Sequence, residues 1–66
     1  MAMNNHQLKE KYLKRLEEIL KNLEERWDYD EYYAHIDADT VLCDLLEELG
    51  FKEVVELYNK VPKWYS

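Results

Sequence analysis

Apolar residues recur every three or four positions from Asn5 to about Trp27. Because successive residues of a helix turn by about 100°, this spacing places them on one side. The pattern predicts a first amphipathic helix over about 5–26, with a solvated, charged opposite side. Asn4 or Asn5 is expected to cap it. The apolar stripe comprises Leu8, Tyr12, Leu13, Leu16, Ile19, Leu20, Leu23 and Trp27.

A second helix, over about 30–49, is predicted from its start and stop signals. Asp28 and Glu31 have the D-x-x-E spacing of a capping box, and Asp30 is a second candidate cap. Gly50 can adopt the left-handed conformation that ends a helix. Phe51 then falls where a Schellman motif places an apolar residue against the last turn. The stop signal defines the end of this helix more closely than the caps define its start.

A third, shorter helix is predicted over about 52–60, before Pro62. The apolar period there is 3.6 rather than 2, which favours helix although adjacent valines suit strands. Beyond it, Trp64 and Tyr65 are expected to dock onto the helices or onto another chain. The stripe of the third helix comprises Phe51, Val54, Val55, Tyr58 and Val61.

Together these segments predict an all-α fold in a single domain, residues 1–66. The connection over Arg26–Asp30 is short, which implies that the first two helices form an antiparallel hairpin. A chain of 66 residues buries a small core, and its one cysteine allows no intrachain disulfide. Helix packing must therefore supply the stability, including packing across a homo-oligomer, with a dimer favoured.

The formal net charge of −6 is unevenly distributed. Residues 24–56 carry twelve acidic and two basic side chains, whereas residues 1–23 and 57–66 are each net basic by two. Such an acidic middle disfavours nucleic-acid binding and suits a basic protein partner. The helices around Gly50 could resemble a helix-turn-helix, but Lys52 and Lys60 there are matched by Glu53 and Glu56.

Location and membrane association are predicted from the apolar runs. None is long enough for a membrane span, and the start of the chain lacks the apolar region of a signal peptide. The prediction is a cytoplasmic protein that does not bind membranes.

Candidate chemistry is confined to Glu31, His35 and Asp39, at positions i, i+4 and i+8 of the second helix. One interpretation is a buried hydrogen-bonded network facing the rest of the protein. The other is a divalent-metal site completed by a second helix or chain. No nucleophile or oxyanion donor accompanies the histidine, and nothing near Cys43 would activate its thiol. The sequence therefore predicts neither an enzyme nor a cofactor.

Aromatic residues cluster where the first two helices connect. They either cover the open end of the hairpin or form a recognition surface, because tyrosine and tryptophan often supply binding energy at interfaces. Tyr32 and Tyr33 point about 100° apart, so at least one is expected to be exposed. The candidate partner-binding residues are Trp27, Tyr29, Tyr32, Tyr33, Trp64 and Tyr65.

The pattern D-x-x-x-A-H-x-x-A-D over 30–39, Leu-Gly at 49–50, E-V-V-x-x-Y over 53–58 and K-W-Y at 63–65 resembles a family of small uncharacterised proteins encoded by bacteriophages and prophages. The resemblance covers roughly 28–66 and implies a mobile-element origin without a known activity. The leading hypothesis is a small acidic helical interaction module that self-associates. The alternatives are a metal-binding protein using Glu31, His35 and Asp39, and an acidic nucleic-acid mimic that inhibits a host protein.

Overall fold

The computed structural model describes residues 4–62, which form three helices joined by short turns. They are α1 (Asn5–Glu25), α2 (Glu31–Glu48) and α3 (Lys52–Tyr58). The predicted all-α fold, a helical hairpin followed by a short third helix, is confirmed. The third helix ends two residues earlier than predicted.

The first helix begins with a reciprocal cap. The Asn4 side chain accepts from the Gln7 amide at 2.8 Å, and the Gln7 side chain accepts from the Asn4 amide at 3.1 Å. The backbone becomes extended at Arg26. Trp27 therefore lies beyond the helix and is 98% exposed, so its predicted place in the apolar stripe of α1 is wrong.

The second helix is capped by Asp30, whose side chain accepts from the Tyr33 amide at 3.2 Å. The capping box predicted for Asp28 and Glu31 is wrong. Because a capping side chain bonds an amide two or three residues ahead, a helix that begins at Glu31 takes its cap from Asp30. Asp28 instead forms an ion pair with Arg26 at 3.1 Å.

Gly50 ends α2 with a positive φ of 94°. The Phe51 amide donates to the Leu46 carbonyl at 2.9 Å, and the Gly50 amide donates to the Glu47 carbonyl at 3.0 Å. These two bonds define the predicted Schellman motif. The turn sends α3 back along α2.

The three helices lie side by side in one layer. Helix α2 packs against α1 on one side and α3 on the other, whereas α1 and α3 do not contact each other within residues 4–62. The molecule measures 38 × 28 × 12 Å, so its thickness is about the diameter of one helix. The buried side chains of the described residues are Leu8, Tyr12, Ala34, Val41 and Val55.

This layered arrangement corrects the expectation for α3. Of its predicted apolar stripe only Val55 is buried, at 2% exposure. A helix that contacts a single neighbour buries a narrow strip of its surface, so the flanking apolar residues remain exposed. These are Phe51, Val54, Tyr58 and Val61.

Candidate interaction surfaces

Two grooves open between α1 and α2 on the same side of the layer. The first lies at the Gly50 end and has a floor of Leu8, Leu16 and Leu45. The second, of about 320 Å³, lies at the other end, where Ala34 and Ala38 leave space between the helices. Leu16 lines both grooves, so they adjoin, and we call the two together the apolar valley.

Helix α3 extends this apolar surface. Asn59 lines a cavity with Thr40 and Asp44 on the opposite side of α2. Because residues turn by about 100°, Phe51 and Val54 lie on the other side of Val55 from Asn59. They therefore face the same side as the two grooves. We call this surface the apolar face, and its exposed members are Leu13, Leu20, Leu42, Leu49, Phe51 and Val54.

The opposite side of the layer is polar. A cavity there is lined by Arg15, Glu18, Asp37 and Thr40, among others. Arg15 also forms an ion pair with Asp44 at 3.0 Å across the two helices. The layer as a whole is therefore amphipathic, with one apolar and one polar face.

Tyr12 links the small core to the charged rim of the hairpin. Its ring is 4% exposed, and its hydroxyl donates to Glu48 at 2.6 Å. Lys11 pairs with the same carboxylate. Lys11 Nζ and Arg15 Cζ each lie 5.2 Å from the centroid of the ring. The basic start of α1 thus meets the acidic end of α2, as antiparallel pairing predicts.

The contacts within this cluster shift the pKa values of Glu48, Lys11 and Tyr12. The hydrogen bond from Lys11, followed by that from Tyr12, lowers the pKa of Glu48 below its usual value. The hydrogen bond to Glu48 raises the pKa of Lys11. Burial, and then the bond to Glu48, raises the pKa of Tyr12. Both partners of the ion pair are therefore charged at neutral pH.

We expect Glu48→Gln to lower the urea midpoint at pH 7 and to have little effect at about pH 2.5. A carboxylate with a depressed pKa stabilises the fold above its unfolded pKa, about 4.3, and loses that contribution as pH falls through the folded pKa. Glu47→Gln is the matched control, because Glu47 lines the cavity beside α3 instead. Equal losses at the two pH values would contradict the role of the Glu48 charge.

The three candidate ligands border two different cavities. Glu31 and His35 are exposed and line the second groove of the apolar face. Asp39 is half-buried and lines the cavity between α2 and α3. Each step of four residues turns the helix by about 40°, which carries Asp39 away from Glu31. The expectation that this set is buried is wrong for Glu31 and His35.

Between residues 4 and 62, no three His, Cys, Asp or Glu side chains are grouped so that they could hold a metal ion.

The predicted aromatic cluster surrounds the tip of the hairpin. Trp27, Tyr32 and Tyr33 are exposed, and the rings of the two tyrosines meet edge to face at 5.3 Å. Tyr29 is half-buried, and its hydroxyl donates to Asp37 at 2.6 Å. Burial and this bond raise the pKa of Tyr29 to about 12. The expectation that Tyr32 or Tyr33 is exposed is confirmed for both; Trp64 and Tyr65 lie outside the described residues.

The net charge is concentrated at this tip. Residues 24–39 contain seven acidic and one basic side chain, which equals the whole net charge of −6. The other fifty residues contain eight of each sign. The acidic segment read from the sequence, residues 24–56, is longer because it includes Asp44 and Glu48, which pair with bases of α1.

The continuous apolar face was missed by sequence reasoning. The spacing of Leu42 and Leu49 places them on one side of a helix. Their periodicity was a real signal, but it does not say whether a neighbouring helix covers them. Leu42 is 51% exposed.

Comparisons with protein-family models, with curated proteins and with solved structures find no match to this chain. The resemblance to phage-encoded proteins therefore stays a prediction. Over the described residues, no helix combines the length and the apolar character that crossing a bilayer requires.

Proposed function

We propose that this protein is a small helical interaction module that self-associates through its apolar face. The occupant of that face is the same face of a second copy. The observation that carries the proposal is the set of exposed leucines, with Phe51 and Val54, gathered on one side of a single helical layer.

The exposed area supports a second copy as the occupant. The chain exposes 5648 Å², which is about 1,100 Å² more than a folded monomer of its mass exposes on average. A standard protein interface buries about 800 Å² on each partner. This excess, summed over the whole chain, exceeds the area that one partner of a standard interface buries.

The architecture supports the same conclusion. Domains bury their apolar surfaces between two packed layers of secondary structure. One chain supplies a single layer, 12 Å thick. A second copy placed on the apolar face would supply the other layer and enclose the leucines between six helices. A twofold arrangement satisfies both copies at once, because the same patch is buried on each.

Sedimentation equilibrium of the wild-type chain at micromolar concentration tests this proposal. We expect a mass of about 16 kDa, twice the 8.1 kDa of one chain. We also expect the melting temperature to rise with protein concentration, because association stabilises only the folded state. A mass near 8.1 kDa throughout the micromolar range, with a constant melting temperature, would overturn it.

A basic protein partner would bind at the hairpin tip, which has an exposed Trp27 and an excess of carboxylates. That partner stays a prediction, as do the metal-binding and nucleic-acid-mimic alternatives. The tip lies at the end of the layer, so self-association through the apolar face would leave Trp27 accessible.

A further inference from the structure

Ionisable side chains of opposite sign stand at opposite ends of the apolar face. Lys9 lines the first groove, beside Leu49 at the Gly50 end. Glu31, the first residue of α2, lines the second groove at the hairpin tip, together with His35. Both charges border the same valley between α1 and α2. The positions of these two charges favour some orientations of two packed apolar faces over others.

Two flat faces can be related by a twofold axis of any direction in the plane between them, and the two limiting directions lie along and across the helices. If the axis runs along the helices, the two tips lie together. The tip segments, each with a charge of −6, then repel, and Glu31 approaches its own copy. If the axis runs across the helices, the tips lie at opposite ends, and Lys9 of each copy approaches Glu31 of the other.

The midpoint between these two charges falls near the middle of the hairpin. Glu18 of α1 and Thr40 of α2 lie about level there, since the ion pair across the hairpin joins residues 15 and 44. Lys9 precedes Glu18 by nine residues, and Glu31 precedes Thr40 by nine residues. Because α1 and α2 are antiparallel, the two charges lie about 13.5 Å from that level in opposite directions. A twofold axis across this level brings Lys9 of one copy level with Glu31 of the other, above α1 rather than α2. Both side chains border grooves between these two helices, so the pair would form across the valley.

We infer that two copies pack with their hairpin tips at opposite ends, and that Lys9 of each copy pairs with Glu31 of the other. This arrangement rests on the proposed self-association. Two symmetric pairs form in each dimer, flanking the leucines. The two hairpin tips are kept apart, so the pairs select the orientation while the apolar face supplies the binding energy.

Charge reversal tests the arrangement. Lys9→Glu and Glu31→Lys, each alone, place like charges opposite each other at two symmetric points. We expect each to raise the dimer dissociation constant roughly tenfold at low salt. The double variant restores opposite charges, and we expect its constant to return to within about threefold of the wild-type value. Sedimentation equilibrium measures all four proteins.

Matched controls separate pairing from net charge. Lys14→Glu and Glu25→Lys make the same changes in charge at exposed positions of α1 that point away from the apolar face. We expect little change in the dimer dissociation constant for either variant. Circular dichroism checks that every variant remains helical. In 0.5 M salt the effects of the single reversals should shrink.

The outcomes distinguish the two proposals. If the wild type is a dimer but the double variant dissociates as readily as the single variants, the arrangement with tips at opposite ends is overturned. The proposed self-association would stand. A wild-type monomer would overturn both the arrangement and the proposed self-association. Equal weakening by the control variants would show that net charge, rather than this pair, governs association, and would also overturn the arrangement.

Discussion

Replacing Tyr12 with alanine is expected to unfold most of the protein in dilute solution at 25 °C. The Tyr12 ring is the largest side chain in the core formed with Leu8 and Val41. Removing a buried aromatic ring costs about 3–5 kcal/mol. A core of this size supplies roughly the same amount in total. The loss of helical circular dichroism signal and of a cooperative urea transition measures the effect.

Two controls show which part of Tyr12 matters. Tyr12→Phe keeps the ring but removes the hydrogen bond to Glu48, and it should cost about 1 kcal/mol. Leu13→Ala truncates the adjacent, half-exposed residue and should leave the monomer folded. If Tyr12→Ala unfolded at the urea concentration of the wild type, the assignment of Tyr12 to the core would be wrong.

Replacing Leu42 with glutamate is expected to raise the dimer dissociation constant by at least about 100-fold. Leu42 lies between the two ends of the apolar face on the central helix. In a twofold dimer, the change introduces two carboxylates into an apolar interface, where they would lose water without gaining a cation. Sedimentation equilibrium across a concentration series measures the shift from dimer to monomer.

Leu57→Glu is the matched control for this prediction. Leu57 is 68% exposed, so the same substitution is made at another exposed leucine. It lies on the outer edge of α3, on the side away from α2 and outside the apolar face. We expect the dimer dissociation constant of the Leu57→Glu variant to stay within about threefold of the wild-type value. Equal weakening by both substitutions would contradict the assignment of the interface to the apolar face.

Local signals determined the helices and most of their ends. The 3.6-residue period of the apolar residues predicted α1, because one side of a helix presents residues at that spacing whatever surrounds it. Start and stop signals predicted α2. Gly50 determined the end of α2, because its φ of 94° is readily adopted by glycine. The sequence did not determine the first residue of α2, because Asp28 and Asp30 carry the same capping chemistry two residues apart. Which one caps depends on where the chain leaves α1.

Periodicity could not predict which parts of the apolar stripes are covered. Trp27 continues the stripe of α1 in sequence, yet the backbone turns at Arg26 and leaves it exposed. Glu31 and His35 follow the apolar side of α2 but border an open groove, because Ala34 and Ala38 are too small to fill the space between the helices. Burial depends on the neighbour opposite each residue, and a sequence period does not identify that neighbour.

The sequence by itself determined an all-α chain with two amphipathic helices, a glycine turn and charges of opposite sign at the facing ends of α1 and α2. The tertiary structure alone decided that α3 lies beside α2 rather than across the hairpin. This placement leaves one layer and aligns the unburied apolar sides of three helices into one face. The physical reason is that helix formation is local, whereas the choice of side on which α3 packs depends on contacts between residues distant in sequence.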